Sequence, residues 1–137
     1  MNYVNKKWQF ELTMPEGWTV NESMSSKLLP RGLAMAIPTG VNVMTALSPF
    51  GPALNIRAGR KLMSILDISR MSNRVNYYSR GGADIAGADG VHYFSYDTAR
   101  GMKVCKVTVQ RGNVQFDVTV RGEEDPPEWF VSGWRFI

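Results

Sequence analysis

The sequence is poor in the side chains that most often do chemistry. Among 137 residues there is one cysteine, Cys105, and one histidine, His92. A lone cysteine forms no intramolecular disulfide, so the fold must rest on its core. A catalytic thiol needs its base within about 3 Å, and only one pair of this kind is possible. Long apolar runs are also missing: no window approaches the 18 apolar residues of a membrane-spanning helix. The opening MNYVNKKWQFE has two lysines but no apolar stretch after them, unlike a secretory leader. A cytoplasmic location is therefore expected, or the bacterial envelope if a leader had been removed. Strong charge is absent too. Sixteen Lys and Arg against 12 Asp and Glu give only +4. The densest basic stretch (Arg57, Arg60, Lys61, Arg70, Arg74, Arg80) is interrupted by Asp67, which argues against a nucleic-acid stripe.

What the sequence does have is material for a core. Its 44% apolar content excludes a disordered chain, and the length suits one domain over residues 1–137. Residues 8–14 alternate as a strand, ending at Pro15-Glu16-Gly17-Trp18. Thr19 and Glu22 have capping-box spacing and suggest a short helix or turn. Prolines and glycines then cut residues 30–58 into short pieces, with strands expected at 33–37, 41–47 and 53–58. Residues 60–73 lack Gly and Pro, and Leu62, Ile65, Leu66, Ile68 and Met71 spread over a wide arc. This predicts one long helix packed on a sheet. A Gly-rich connection, SRGGADIAGADG, follows.

Three strands come next, near 91–98, 102–111 and 114–121. Gly112-Asn113 marks a tight hairpin, which sets Val109 opposite Phe116, Val107 opposite Val118 and Cys105 opposite Val120. Ala99-Arg100-Gly101 closes the preceding hairpin, with Gly101 left-handed, and sets Ser95 opposite Cys105 and Tyr93 opposite Val107. One face of this meander is apolar: Cys105, Val107, Val109, Phe116, Val118 and Val120 are the expected core. The other face mixes Phe94, Tyr96 and Val104 with His92, Lys106, Thr108, Gln115, Asp117 and Thr119. At the end of the chain, Asp125, Pro126 and Glu128 suggest the cap, first residue and N3 acid of a short helix stopped by Gly133, followed by a strand-like Trp-Arg-Phe-Ile.

Three segments, FELTMPEGWTV, GADIAGADGVHYFSYDT and WFVSGWRFI, occur in the order of the opening strand, meander entry and closing tail of the PsbP-like superfamily, which the chain resembles. That superfamily includes the photosystem extrinsic subunit, Ran-binding import factors and bacterial DcrB-type and Eag-type proteins. The resemblance implies an α+β fold: an antiparallel sheet with the C-terminal meander, the 60–73 helix and short helices on it, as an α/β/α sandwich. It also implies that Trp18 plugs the core as the chain turns under the sheet edge.

Chemistry is sparse by this reading. The register puts His92 and Cys105 on opposite faces of one sheet, so they form no dyad, and His92 is expected to face solvent. Asp84 and Asp89 lack the ligand alternation of a calcium loop. GGADIAGADG lacks the leading Gly-x-Gly of a dinucleotide site. Glu123, Glu124, Asp125 and Glu128 suit helix capping and a solvated loop. The expectation is a non-enzyme with no cofactor and no metal. A mixed sheet face rimmed by polar groups suits a partner, and the candidate partner-binding residues are His92, Phe94, Tyr96, Lys106 and Thr108. They suit a bacterial adaptor or chaperone for a protein partner or apolar peptide segment. The alternative is a small-ligand carrier or enzyme with a pocket between the long helix and the sheet, using Arg57, Arg70 or Tyr93.

Overall fold

A computed structural model of the chain describes residues 1–22, 40–72, 79–81 and 83–137. The fold is mostly β, with two sheets and two short helices among the described residues. The strands, in chain order, are β1 (Asn2–Asn5), β2 (Phe10–Thr13), β3 (Thr19–Asn21), β4 (Val41–Leu47), β5 (Ala53–Arg60), β6 (Ser79–Gly81), β7 (Gly90–Asp97), β8 (Lys103–Arg111), β9 (Val114–Arg121) and β10 (Trp134–Phe136). The helices are α1 (Ile65–Ser72) and α2 (Glu128–Gly133). A seven-stranded antiparallel sheet runs β3-β4-β5-β9-β8-β7-β6, and a smaller one runs β1-β2-β10.

The meander has the register read from the sequence. Cys105 pairs with Val120, Val107 with Val118 and Val109 with Phe116; Ser95 pairs with Cys105 and Tyr93 with Val107. Gly112 takes φ +58° and Gly101 φ +77°, left-handed values that a side chain would strain. Positive φ at Gly112 but not at Asn113 follows the type II′ pattern. The expected core residues of β8 and β9 are all buried.

The layers differ from the expected α/β/α sandwich. A sheet, not a long helix, covers the apolar face of the seven-stranded sheet. Phe10 of β2 stacks on Trp134 of β10, with centroids 4.4 Å apart and planes 6° apart. Phe116 of β9 meets both rings edge-on, at 5.3 and 5.1 Å. Phe130 of α2 closes the cluster 5.5 Å from Trp134. Aromatic rings favour such edge-on and offset contacts. Alternation alone announces that a strand has an apolar face, but not which element will cover it.

The 60–73 helix is a correction of its own. Pairing of β5 with β9 continues to Arg60 opposite Val114, and the Lys61 amide then donates to Asn113 O. Backbone groups committed to a strand cannot begin a helix. Ser64 sets the actual start: its hydroxyl accepts from the Asp67 amide at 3.2 Å, and its carbonyl accepts from Ile68 N, as at an N-cap. Residue 73 lies outside the described residues, as does the 33–37 strand.

Smaller corrections follow the same logic. Residues 19–21 are strand β3, paired with β4, not the start of a helix. Residues 6–9 turn between β1 and β2, so the strand expected over 8–14 begins only at Phe10. A short strand, β6, lies inside the Gly-rich connection and pairs with β7. Helix α2 begins after Pro127 with no side-chain cap, because Pro127 disfavours helical backbone at Pro126. Trp18 is half-buried rather than a full plug; it packs against the core and against Trp129, 5.1 Å away.

Helix α1 rests on β7, on the face opposite the aromatic core. A Cβ built on Gly90 would lie 2.6 Å from Ile65 Cγ1 and 3.3 Å from Ile65 Cβ. Ile65 is β-branched and stiff. Gly90→Ala is therefore expected to cost about 1–3 kcal/mol through overpacking, with part of the loss recovered in Gly90→Ala/Ile65→Ala. Urea midpoints of the two variants check this; equal losses in both would show that α1 does not sit on Gly90.

Candidate functional site

The second face of the seven-stranded sheet can be laid out from the register. One cross-strand row is Thr45, Asn55, Thr119, Lys106 and Phe94. The next is Asn42, Arg57, Asp117, Thr108 and His92. On the other side lie Leu47, Ala53, Arg121, Val104 and Tyr96. A fourth row, Gly59, Gln115, Gln110 and Gly90, passes beneath the start of α1.

Cover is uneven across this face. Near α1 the Gln110 amide donates to Met63 O at 2.7 Å and to Gln115 Oε1 at 2.9 Å. Gln110, His92 and Thr108 are buried. His92 is 5% exposed, so its expected place facing solvent is overturned: it stands two residues from Gly90, where Ile65 packs. Away from α1 the face is more exposed, although Val104 opposite Tyr96 is buried. Asp117 and Arg57 are exposed, and Lys106, Phe94 and Tyr96 are half-buried. The Phe94 and Tyr96 rings stack at 6.0 Å with planes 24° apart, and His92 lies 6.4 Å from Phe94. Lys106, directly opposite Phe94, donates to Thr119 Oγ1 at 2.8 Å. Asn55 Nδ2 donates to Asn42 Oδ1, Thr45 Oγ1 and Met44 O. The fold thus brings Phe94, Tyr96 and Lys106 together on a half-open surface and puts His92 and Thr108 at its covered margin.

Sequence reasoning missed the other side of this surface. Arg57 and Arg121 share it only because β5 pairs with β9, strands separated by more than fifty residues and joined by no hairpin. It also missed the exposure of Leu62, ahead of α1, and Leu66, on α1, which are 69% and 59% exposed despite the wide apolar arc that seemed to demand burial.

Cys105 is on the core face, fully buried. Burial pushes its thiol up to about 11; the charges of Asp125 and Glu123 add to this, while a hydrogen bond with Ser95 works the other way. The nucleophilic thiolate is thus disfavoured at neutral pH. The raised folded-state value stabilises the protonated form. Below the unfolded value of about 9 this contribution is fully present; it is lost as pH rises through 9 to 11. Tyr3, pushed to about 12 chiefly by burial, extends the loss to higher pH. Native protein at pH 8 is expected to resist Ellman's reagent, and Cys105→Ala to flatten the fall in urea midpoint between pH 9 and 11. Rapid labelling without unfolding would contradict this.

Three clefts lie elsewhere among the described residues. One of about 550 Å³ separates β2 from α2 beside Pro15, Trp129 and Arg135. One of about 230 Å³ adjoins Lys6, Lys7, Glu22 and Asn42. One of about 150 Å³ lies beside Trp8, Arg111 and Phe136. Among the described residues no three of His, Cys, Asp or Glu gather into a metal-sized group, and no helix is long and apolar enough to cross a membrane.

Two sheets, a C-terminal meander and a closing aromatic strand define a PsbP-like fold. The chain is similar in structure to cyanobacterial PsbP (CyanoP) from Synechocystis sp. PCC 6803, with a TM-score of 0.61 and 12% identity over 100% of this chain and 92% of that one. No protein-family model and no curated protein matches the sequence.

Proposed function

We propose that residues 1–137 act as one non-catalytic protein-binding module, a bacterial cytoplasmic adaptor or chaperone that holds an apolar segment of a protein partner on the open half of the Lys106 face. Phe94 and Tyr96 are the anchors, Lys106 stands beside them, and His92 and Thr108 form the buried margin. The observation that carries this is the stacked, half-buried Phe94–Tyr96 pair on an interior strand. A few aromatic anchors supply most of the affinity of an interface, and side chains already ordered on a sheet lose little entropy when a partner arrives. The superfamily that the sequence resembles consists largely of protein-binding members, which favours the same reading.

The small-ligand alternative has less support. Ile65 presses onto Gly90 where helix and sheet meet. Its candidate polar groups also diverge: Tyr93 pairs with Val107 on the core face, Arg57 is on the opposite face, and Arg70 faces Asp67 at 3.9 Å. The test is capture of a partner from the native host by the intact chain and by Phe94→Ser/Tyr96→Ser. The proposal expects the partner to be lost from the double variant; undiminished capture would refute it.

A further inference from the structure

The open half of the Lys106 face also has a charge. Arg57 on β5, Lys106 on β8 and Arg121 on β9 all point from it. Lys106 lies directly across from Thr119; Arg121 is two residues along from Thr119, and Arg57 lies on its diagonal. Sheet spacings put the β-carbons of all three within about 5–10 Å of that of Thr119; the Arg57 guanidinium reaches on to Gly40 O, just before β4. The ion pairs among the described residues are Arg70–Asp67, Lys103–Glu124 and Arg135–Glu11, and none involves these three. Lys106 donates to the Thr119 hydroxyl and Arg57 to Gly40 O, both neutral acceptors. One carboxylate shares the surface, Asp117, which holds the Gln115 amide at 3.0 Å. Among the described residues, three cations against one carboxylate give the surface a net positive sign beside its aromatic anchor.

We infer that the segment bound here is acidic: apolar side chains set against Phe94 and Tyr96, with flanking carboxylates that meet Arg57, Lys106 and Arg121. This rests on the protein-binding reading above and adds the sign of the partner. Arginine matches a carboxylate in a two-pronged geometry, and complementary charge selects partners and speeds their encounter. A single-stranded nucleic acid fits the surface less well. Exposed Asp117 sits at the centre, directly opposite Arg57 and Thr108, where a continuous phosphate backbone would cross it, whereas the flanking carboxylates of a peptide fall to either side of its apolar centre. The Phe94 and Tyr96 rings also lie near-parallel with centroids 6.0 Å apart, too close for a base to slot between them.

Three fluorescein-labelled synthetic peptides test the inference. They share a Leu-Phe-x-Leu centre and carry Glu, Gln or Lys on both sides; fluorescence anisotropy with the intact chain reports binding. The Glu peptide is expected to bind at least about tenfold more tightly than the Lys peptide, roughly 1.4 kcal/mol, and the difference should shrink between 0.05 and 0.5 M salt. Arg57→Glu/Lys106→Glu should reverse the order. Arg57→Gln/Arg121→Gln, a milder change, should narrow it without altering the thermal midpoint. Equal binding of all three peptides would overturn the acidic partner while leaving protein binding intact. Failure of all three to bind overturns the acidic partner too. Preferential binding of labelled oligothymidine would overturn both readings.

Discussion

Phe116→Ala is expected to cost about 3–5 kcal/mol, as emptying a core aromatic site does. That is a large share of the roughly 5–15 kcal/mol that holds a typical domain together, and it should lower the thermal midpoint by about 10–20 °C. Phe116 is fully buried and joins the two sheets. Besides the Phe10 and Trp134 rings, it meets Trp8 at 6.4 Å and Phe136 at 6.0 Å. Alanine would leave a cavity edged by rings from β2, β10 and the turn before β2, and packed rings collapse poorly into such a space. Asp117→Ala, one residue along and facing the open side, is the matched control, with a change within about 0.5 kcal/mol. A loss below about 1 kcal/mol for Phe116→Ala, by thermal or urea unfolding, would show that the small sheet does not close the core.

The second large effect falls on binding rather than folding. Phe94→Ser/Tyr96→Ser should weaken partner binding by at least about 100-fold, near 3 kcal/mol, as loss of paired anchors does. The cost in stability should be modest, about 1–2 kcal/mol, because both rings already give up only part of their surface to the fold. Phe116→Ala is expected to do the opposite, lowering stability while leaving the Lys106 surface in place in the molecules that remain folded. A double variant that melts as early as Phe116→Ala would mean that Phe94 and Tyr96 belong to the core and that the proposed surface does not exist.

The sequence made the meander legible because hairpins are local. Gly112 and Gly101 fixed two turns, alternation fixed the faces, and every pairing across β7, β8 and β9 followed. The long-range parts were not legible in this way. Nothing in FELT or WRFI indicates that these segments pair with each other and lay Phe10 and Trp134 over Phe116. The long helix failed at a boundary: periodicity over 60–73 gives no notice of where pairing stops, and strand pairing to Arg60 claims the first residues before Ser64 starts the helix. Phe94, Tyr96 and Lys106 were visible as neighbours because the hairpin at Gly101 sets them in register. The burial of His92 was not, since Ile65 reaches Gly90 only through tertiary packing. Arg57 and Arg121 joined the surface through β5–β9 pairing, for which no turn gives notice.

The most direct measurement of the proposed function is site-specific photocrosslinking in the native host. Benzoylphenylalanine would replace Tyr96 in one version of the chain and exposed Glu16, at the turn after β2, in another. Irradiation is expected to give a discrete protein adduct from position 96, suppressed by Phe94→Ser in the same chain, and none from position 16. Equal adducts from both positions, an adduct to nucleic acid, or no protein adduct from position 96 would contradict the account.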